Sequence, residues 1–194
     1  MTDTARAVKL GYAFCASHCT IGRSISAMEK LLDSGYDVQP IMSAAARYTD
    51  TRFGRAEDIA ARIEELTGKK IISDIASAEP LGPKMPLDAL VIAPCTGNTL
   101  AKLANGITDT AVTMAAKAHL RSDKPTLIAL ATNDALSQNL KSIAALLARK
   151  RVFFVPMAQD DPIGKPHSLV ADFEKIPEAL ASALTEKQLR PLFI

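Results

Sequence analysis

Apolar positions along the chain switch repeatedly between two spacings. Residues 8–14, 38–42, 87–93, 126–131 and 152–155 are short, nearly continuous apolar runs. Runs of this length, rich in Val, Ile and Leu, read as buried strands. Between them the apolar positions recur at helical spacing. Residues 20–34 place Ile21, Ile25, Met28 and Leu32 on one face, with Gly35 beyond the end. Residues 55–67 turn Ala56, Ile59, Ile63 and Leu66 inward and stop at Gly68. Helices are also expected over 99–107, 110–120, 135–150 and about 177–189. In the third of these Leu136, Leu140, Ile143 and Leu147 form the inward face, and Pro177 suits the first turn of the last. Residues 70–72 suggest a short extra strand, and 79–86, with three prolines and a glycine, a loop. Pro40 marks an irregular or weakly paired position in the second strand. Alternation of this kind implies a parallel sheet with helices on both faces and right-handed crossovers.

The run from Ala93 to Asp109 is the most informative stretch. A buried strand ends at Pro94, passes through the small polar residues Thr96, Gly97, Asn98 and Thr99, and enters a helix whose apolar face is Leu100, Leu103, Ala104 and Ile107. Loops at the carboxyl ends of parallel strands are where open α/β sheets bind ligands. A helix start adds free N–H groups and the positive end of a dipole. Thr96 and Asn98 are both suited to cap this helix and to reach a ligand. A flat polar ring and a phosphate would each fit such a loop.

The bulk numbers narrow the class. A chain of 194 residues suffices for one α/β domain, expected to span 1–194. The net charge of +2, without a basic block, argues against a nucleic-acid surface. No apolar run approaches the roughly 18 residues of a membrane span. Residues 1–9 lack the basic-then-apolar order of a signal peptide. Cys15, Cys19 and Cys95 cannot all pair with one another, so reduced thiols and a cytoplasmic location are expected.

Dinucleotide signals are absent. Where Gly-x-Gly-x-x-Gly would follow the first strand, the chain has Phe14-Cys15-Ala16-Ser17-His18-Cys19-Thr20-Ile21-Gly22. Where an acid would end the second strand, it has Met42-Ser43-Ala44-Ala45. Ser17 and Ser43 suit a terminal monophosphate, or serve as turn and cap residues. A mononucleotide such as FMN therefore fits better than NAD. Cys15-x-x-His18-Cys19 has metal-like spacing but supplies only three ligands, and no metal site is expected. Arg47, Arg52 and Arg55 surround Thr49 to Gly54, either as a solvated loop or as a guanidinium fork for carboxylates. Gln159-Asp160-Asp161-Pro162 reads as a turn or as proton acceptors.

The Pro94–Asp109 motif, Pro-x-Thr-x-Asn-Thr followed by Lys-x-Ala-x-Gly-Ile-x-Asp, resembles the FMN-binding cysteine decarboxylase-like flavoproteins. The resemblance implies a three-layer Rossmann-like flavoprotein fold with a mainly parallel sheet of about six strands. It implies that Ser17 and Ser43 contact an FMN phosphate and that Pro94, Thr96, Asn98 and Thr99 border the flavin. Two signatures of the decarboxylases are missing: residues 43–53 contain no His, and Ala131-Thr132-Asn133-Asp134 replaces Pro-x-Met-Asn. An oxidative, dipicolinate-forming branch of the superfamily resembles the chain better. Ser17-His18-Cys19-Thr20, Asp50-Thr51-Arg52-Phe53-Gly54, residues 78–84, Thr132-Asn133-Asp134-Ala135-Leu136 and Gln159-Asp160-Asp161-Pro162 carry that likeness. It implies a small dicarboxylate substrate oxidised to pyridine-2,6-dicarboxylate in spore formation. It also implies a partner protein of the same synthase that brings NADP on its own nicotinamide-binding domain, and a homo-oligomer built on trimers. Arg52, Asn133 and Asp134 are then the candidate catalytic residues, with Arg52 or Arg47 holding a substrate carboxylate. A flavin-dependent decarboxylase or prenyltransferase, and a flavin-free partner without catalysis of its own, are the rival expectations.

Overall fold

The computed structural model describes residues 6–82 and 84–194. Residues 1–5 of the N-terminal stretch, and Pro83 of the Pro-rich loop, lie outside the described residues. Five parallel strands form the body of the sheet in the order β2 (Asp37–Met42), β1 (Lys9–Phe14), β3 (Ala89–Cys95), β4 (Thr126–Thr132), β5 (Val152–Phe154). Two short antiparallel strands, β6 (Met157–Ala158) and β7 (Leu169–Ala171), complete seven among the described residues. β4 is shared: its first three residues pair with β5, and Ala131 and Thr132 pair with β7. The run 152–155 is therefore not the last strand. An arm after it folds back onto the carboxyl end of the sheet.

Strand alternation sorts the core into two layers. Leu10, Tyr12, Phe14 and Val91 face α1 (Ile21–Asp33), α3 (Ala56–Thr67) and α8 (Ile176–Leu184). Ala13, Leu90, Ile92 and Ile128 face α5 (Gly97–Asn105), α6 (Ala111–Leu120) and α7 (Leu140–Leu147). Two short helices, α2 (Ala44–Tyr48) and α4 (Ile75–Ala78), follow β2 and precede β3. The alanines of α6 are buried on the sheet side of the molecule, with Thr110 and Thr113 closing a reciprocal capping box at its start.

Several details differ from the sequence expectations. Pro94 does not end β3, which runs on to Cys95 through a register shift after Ile92. This bulge has its carbonyls satisfied: Ser24 Oγ donates to Ala93 O at 2.6 Å, and Cys15 N donates to Pro94 O at 3.1 Å. A residue without an N–H is tolerated where the ladder is already broken. Pro40 pairs regularly with Tyr12 in register, because β2 is the edge and its N–H-less side faces outward. There Pro40 O accepts from Ile72 N, so 70–72 contributes a bridge rather than a strand. The helix expected over 135–150 begins only at Leu140, after turns held by Asp134. Its inward residues are Ser142, Ile143 and Leu146, whereas Leu136, Leu140 and Leu147 are exposed. Ile107 is also exposed, past the left-handed Gly106 that ends α5.

Candidate functional site

The strand order 2-1-3-4-5 reverses direction between β1 and β3, and the loops leaving these strands part around a crevice. The N–H of Cys15 on the Pro94 carbonyl ties the two strand ends together beneath it. Above lies a cleft of about 520 Å³, within the range of small-molecule sites. One wall is made of helix starts: Ala16, Ser17 and Thr20 before α1, and Thr96, Gly97 and Asn98 at α5. The other wall comes from the end of β4 and the returning arm, with Asn133, Asp160 and Lys165. Arg23 adds a cation at the α1 side, its guanidinium stacked 5.2 Å from the Phe173 ring centroid.

The helix-start wall is held by local bonds. Ser17 Oγ accepts from Thr20 Oγ1 at 2.9 Å. Thr96 caps α5, accepting from Thr99 N at 3.2 Å. Asn98, expected as a second cap, instead sits in the first turn with its side chain exposed to the cleft. Gly97 is required by a close approach. A Cβ there would lie 2.5 Å from Thr132 Oγ1, 2.7 Å from Asn139 Nδ2 and 2.8 Å from Asp134 Oδ1. α5 therefore starts directly on the turn that follows β4.

The arm wall is held by charge. Lys165 Nζ donates to Asp160 Oδ2 at 2.7 Å, and the fully buried Ser168 donates to Asp160 Oδ1 at 2.6 Å. The ammonium of Lys165, then the Ser168 hydroxyl, hold the Asp160 carboxyl below its ordinary range, and Asp160 raises Lys165 in return. Asp161 does the work of the turn, accepting from Gly164 N at 2.8 Å. The two adjacent acids thus separate into one turn residue and one cleft residue.

The sequence-expected residues divide accordingly. Ser17, Thr96, Asn98 and Asn133 come together at the cleft. Pro94 and Thr99 are buried beneath it. Ser43 caps α2, accepting from Ala46 N at 3.3 Å, and is not among the cleft's lining residues. Asp134 accepts from Thr132 Oγ1 at 2.5 Å and from Asn139 Nδ2 at 2.9 and 3.0 Å, so its carboxylate is engaged in holding the β4 turn. Arg52 stacks on Phe53 at 4.9 Å, outside the cleft. Phe53 borders an adjoining hollow of about 440 Å³ that shares Cys19 with the cleft. Arg23, Lys165 and Ser168 had no motif to announce them. Asp160 lay in Gln159-Asp160-Asp161-Pro162, read as a turn or as proton acceptors, and the structure brings it to the cleft.

Cys15 and Cys95 are both buried at the floor. A hydrogen bond from Cys95 lowers the Cys15 thiol, whereas the same contact and burial push Cys95 up. Among the described residues no cluster of three His, Cys, Asp or Glu side chains stands ready for a metal. None of the described helices is long and apolar enough to cross a membrane.

A switch-point cleft of hydroxyls, amides and cations on a three-layer α/β frame defines a flavoprotein-like class of protein. Residues 2–182 match the Flavoprotein family, and the chain belongs to it. It is 42% identical over 186 residues to the dipicolinate synthase B subunit of Bacillus subtilis (strain 168), covering 96% of this chain and 93% of the relative. The crystal structure of the dipicolinate synthase B subunit from Bacillus halodurans superposes with a TM-score of 0.89 at 42% identity, covering 96% of each chain. The FMN-dependent cysteine decarboxylase SpaF shares the fold, with a TM-score of 0.66 at 24% identity over 92% of this chain and 95% of its own.

Proposed function

We propose that this chain is the B subunit of a dipicolinate synthase. It acts with the nicotinamide-binding partner of that enzyme to oxidise a dihydro- or hydroxytetrahydro-dipicolinate to pyridine-2,6-dicarboxylate during sporulation. The likeness to the two Bacillus proteins supports the identity of the reaction. The observation that carries the reading to this site is the pair of cations in the cleft. Arg23, without a carboxylate partner among the described residues, and Lys165, paired with Asp160, face a wall of hydroxyls and amides, as a ring bearing carboxylates requires. Lys165 and Arg23 are the carboxylate-binding groups in this reading, in the place first given to Arg52. Asn133 contacts the ring by its amide. Asp134, with its oxygens already accepting three hydrogen bonds, holds the turn rather than a proton.

The donor set also fits FMN. Ser17 and the start of α1 suit its phosphate, and Thr96 and Asn98 suit the polar edge of its ring. Bound there, FMN supplies a two-electron acceptor. NADP on the partner is the other acceptor for the hydride equivalent. Aromatisation supplies much of the driving force, so the task of this chain is to orient the ring and neutralise its carboxylates. The exposed stripe Leu136, Leu140, Leu147 supports self-association into a trimer or a multiple of one. Dipicolinate formation by the partner without this chain, compared with formation by the two together, tests the reading. Product is expected only from the pair. Equal rates would remove this chain from the chemistry.

A further inference from the structure

A second cavity lies at the opposite end of the sheet. It holds about 350 Å³ and is bordered by Thr126 and Val152, the first residues of β4 and β5. The cleft borders Thr132, the last residue of β4, six residues and about 20 Å away. The cavity walls are apolar, chiefly Leu103, Ile107, Leu120, Ile128 and Leu146. Three cations stand around it: Lys117, Arg121 and Arg149. None of them has a carboxylate partner among the described residues, and no acid lines the cavity. Among the described residues Arg149 donates only to Leu103 O, at 3.3 Å.

The balance of charge favours an anion. α5, α6 and α7 all end here, and each carboxyl end carries about half a negative charge. Three full positive charges outweigh them. The floor contains Thr126, a buried residue whose hydroxyl has no hydrogen-bond partner among the described residues. Native structures rarely leave such a group unsatisfied. An apolar hollow of this size, ringed by unpaired cations, matches one chemistry: a compact apolar body with an anionic head.

We propose that this basal cavity is a second ligand site, for a small amphipathic carboxylate, separate from the switch-point cleft. Within it the apolar body lies among Leu103, Ile128 and Leu146, and the carboxylate meets Arg121 and Arg149. The probe is 1-naphthoate, titrated into the full chain by calorimetry and followed through methyl resonances. Saturable binding is expected at one site per chain, with shifts at Ile107, Ile128, Leu146 and Val152. The neutral isostere naphthalene-1-carboxamide is expected to bind at least about tenfold more weakly, the scale of a lost charge-assisted hydrogen bond. The double variant Arg121→Gln, Arg149→Gln is expected to show a similar loss for 1-naphthoate, and Lys165→Gln in the cleft no change. Absence of saturable binding, as when a second copy covers the cavity, overturns the proposal. So does equal affinity for the carboxamide, or loss of binding in Lys165→Gln.

Discussion

The two walls of the cleft are built by different means. The helix-start wall is assembled from neighbours in sequence: Ser17 with Thr20, and Thr96 with Thr99. The arm wall reaches further, with Asp160 held by Ser168 and Lys165 on a segment that returns to pair with the end of β4. One wall is chiefly hydroxyls and amides, with Arg23 of α1 beside it, and rests on the α/β frame, while the other carries the Asp160–Lys165 pair and rests on two short strands. Capped helix starts and a charge pair are thus supplied by separate parts of the molecule.

The strongest test of that contrast is Gly97→Ala. The new Cβ would press on Thr132, Asp134 and Asn139, where the two walls meet. Overpacking of this kind costs about 1–3 kcal/mol, measured by urea unfolding. A neutral result would mean that the walls are not seated on each other. Next is Ser168→Ala, which strips a buried donor from the Asp160 carboxylate. We expect a loss of about 1–2 kcal/mol together with a rise in the Asp160 pKa toward its ordinary value, read by carbon NMR. If the Asp160 titration stays put, Lys165 alone holds the arm. Thr96→Ala removes a cap from α5 and should cost about 1 kcal/mol without moving Asp160. Movement of Asp160 in that variant would join what the structure separates.

The same contrast explains what was legible in the chain. Strands and helices showed themselves through period, and the Thr96 cap through local spacing. The bulge at Pro94 did not, because a proline in sequence carries no record of the side chain, here Ser24, that satisfies its neighbour's carbonyl. The late start of α7 was hidden because Leu136, Leu140 and Leu147 keep helical spacing while facing outward. Helical period says which residues share a face, not which way the face points. Asp160, Lys165 and Ser168 reach the cleft only through the antiparallel return of β7, a non-local pairing with no local signature.

Acid separates two further regions, with the smallest expected effect. His119 is buried near the amino end of the sheet, its Nε2 2.9 Å from Pro125 O and its Nδ1 without a partner among the described residues. Burial pushes its pKa down. The folded state therefore binds fewer protons than the unfolded chain, whose histidine titrates near about 6.5. Stability from this group is present above that pH and falls as pH drops below it. The Asp160 contribution, lowered by Lys165 and Ser168, fades only beneath about pH 4, through its folded pKa. Urea midpoints measured from pH 7 to 5 should slope in the wild type and flatten in His119→Gln. An unchanged slope would place the acid sensitivity elsewhere.

The central claim is that the helix-start wall holds a flavin while the arm wall faces the substrate. Titration of the flavin-free chain with FMN, followed by quenching of flavin fluorescence, tests it most directly, with Ser17→Ala and Lys165→Gln beside the wild type. Saturable binding by the wild type is expected, weakened by about tenfold in Ser17→Ala, the scale of one charge-assisted contact, and unchanged in Lys165→Gln. Equal affinity in Ser17→Ala, a loss in Lys165→Gln, or no uptake by the wild type, would contradict that division.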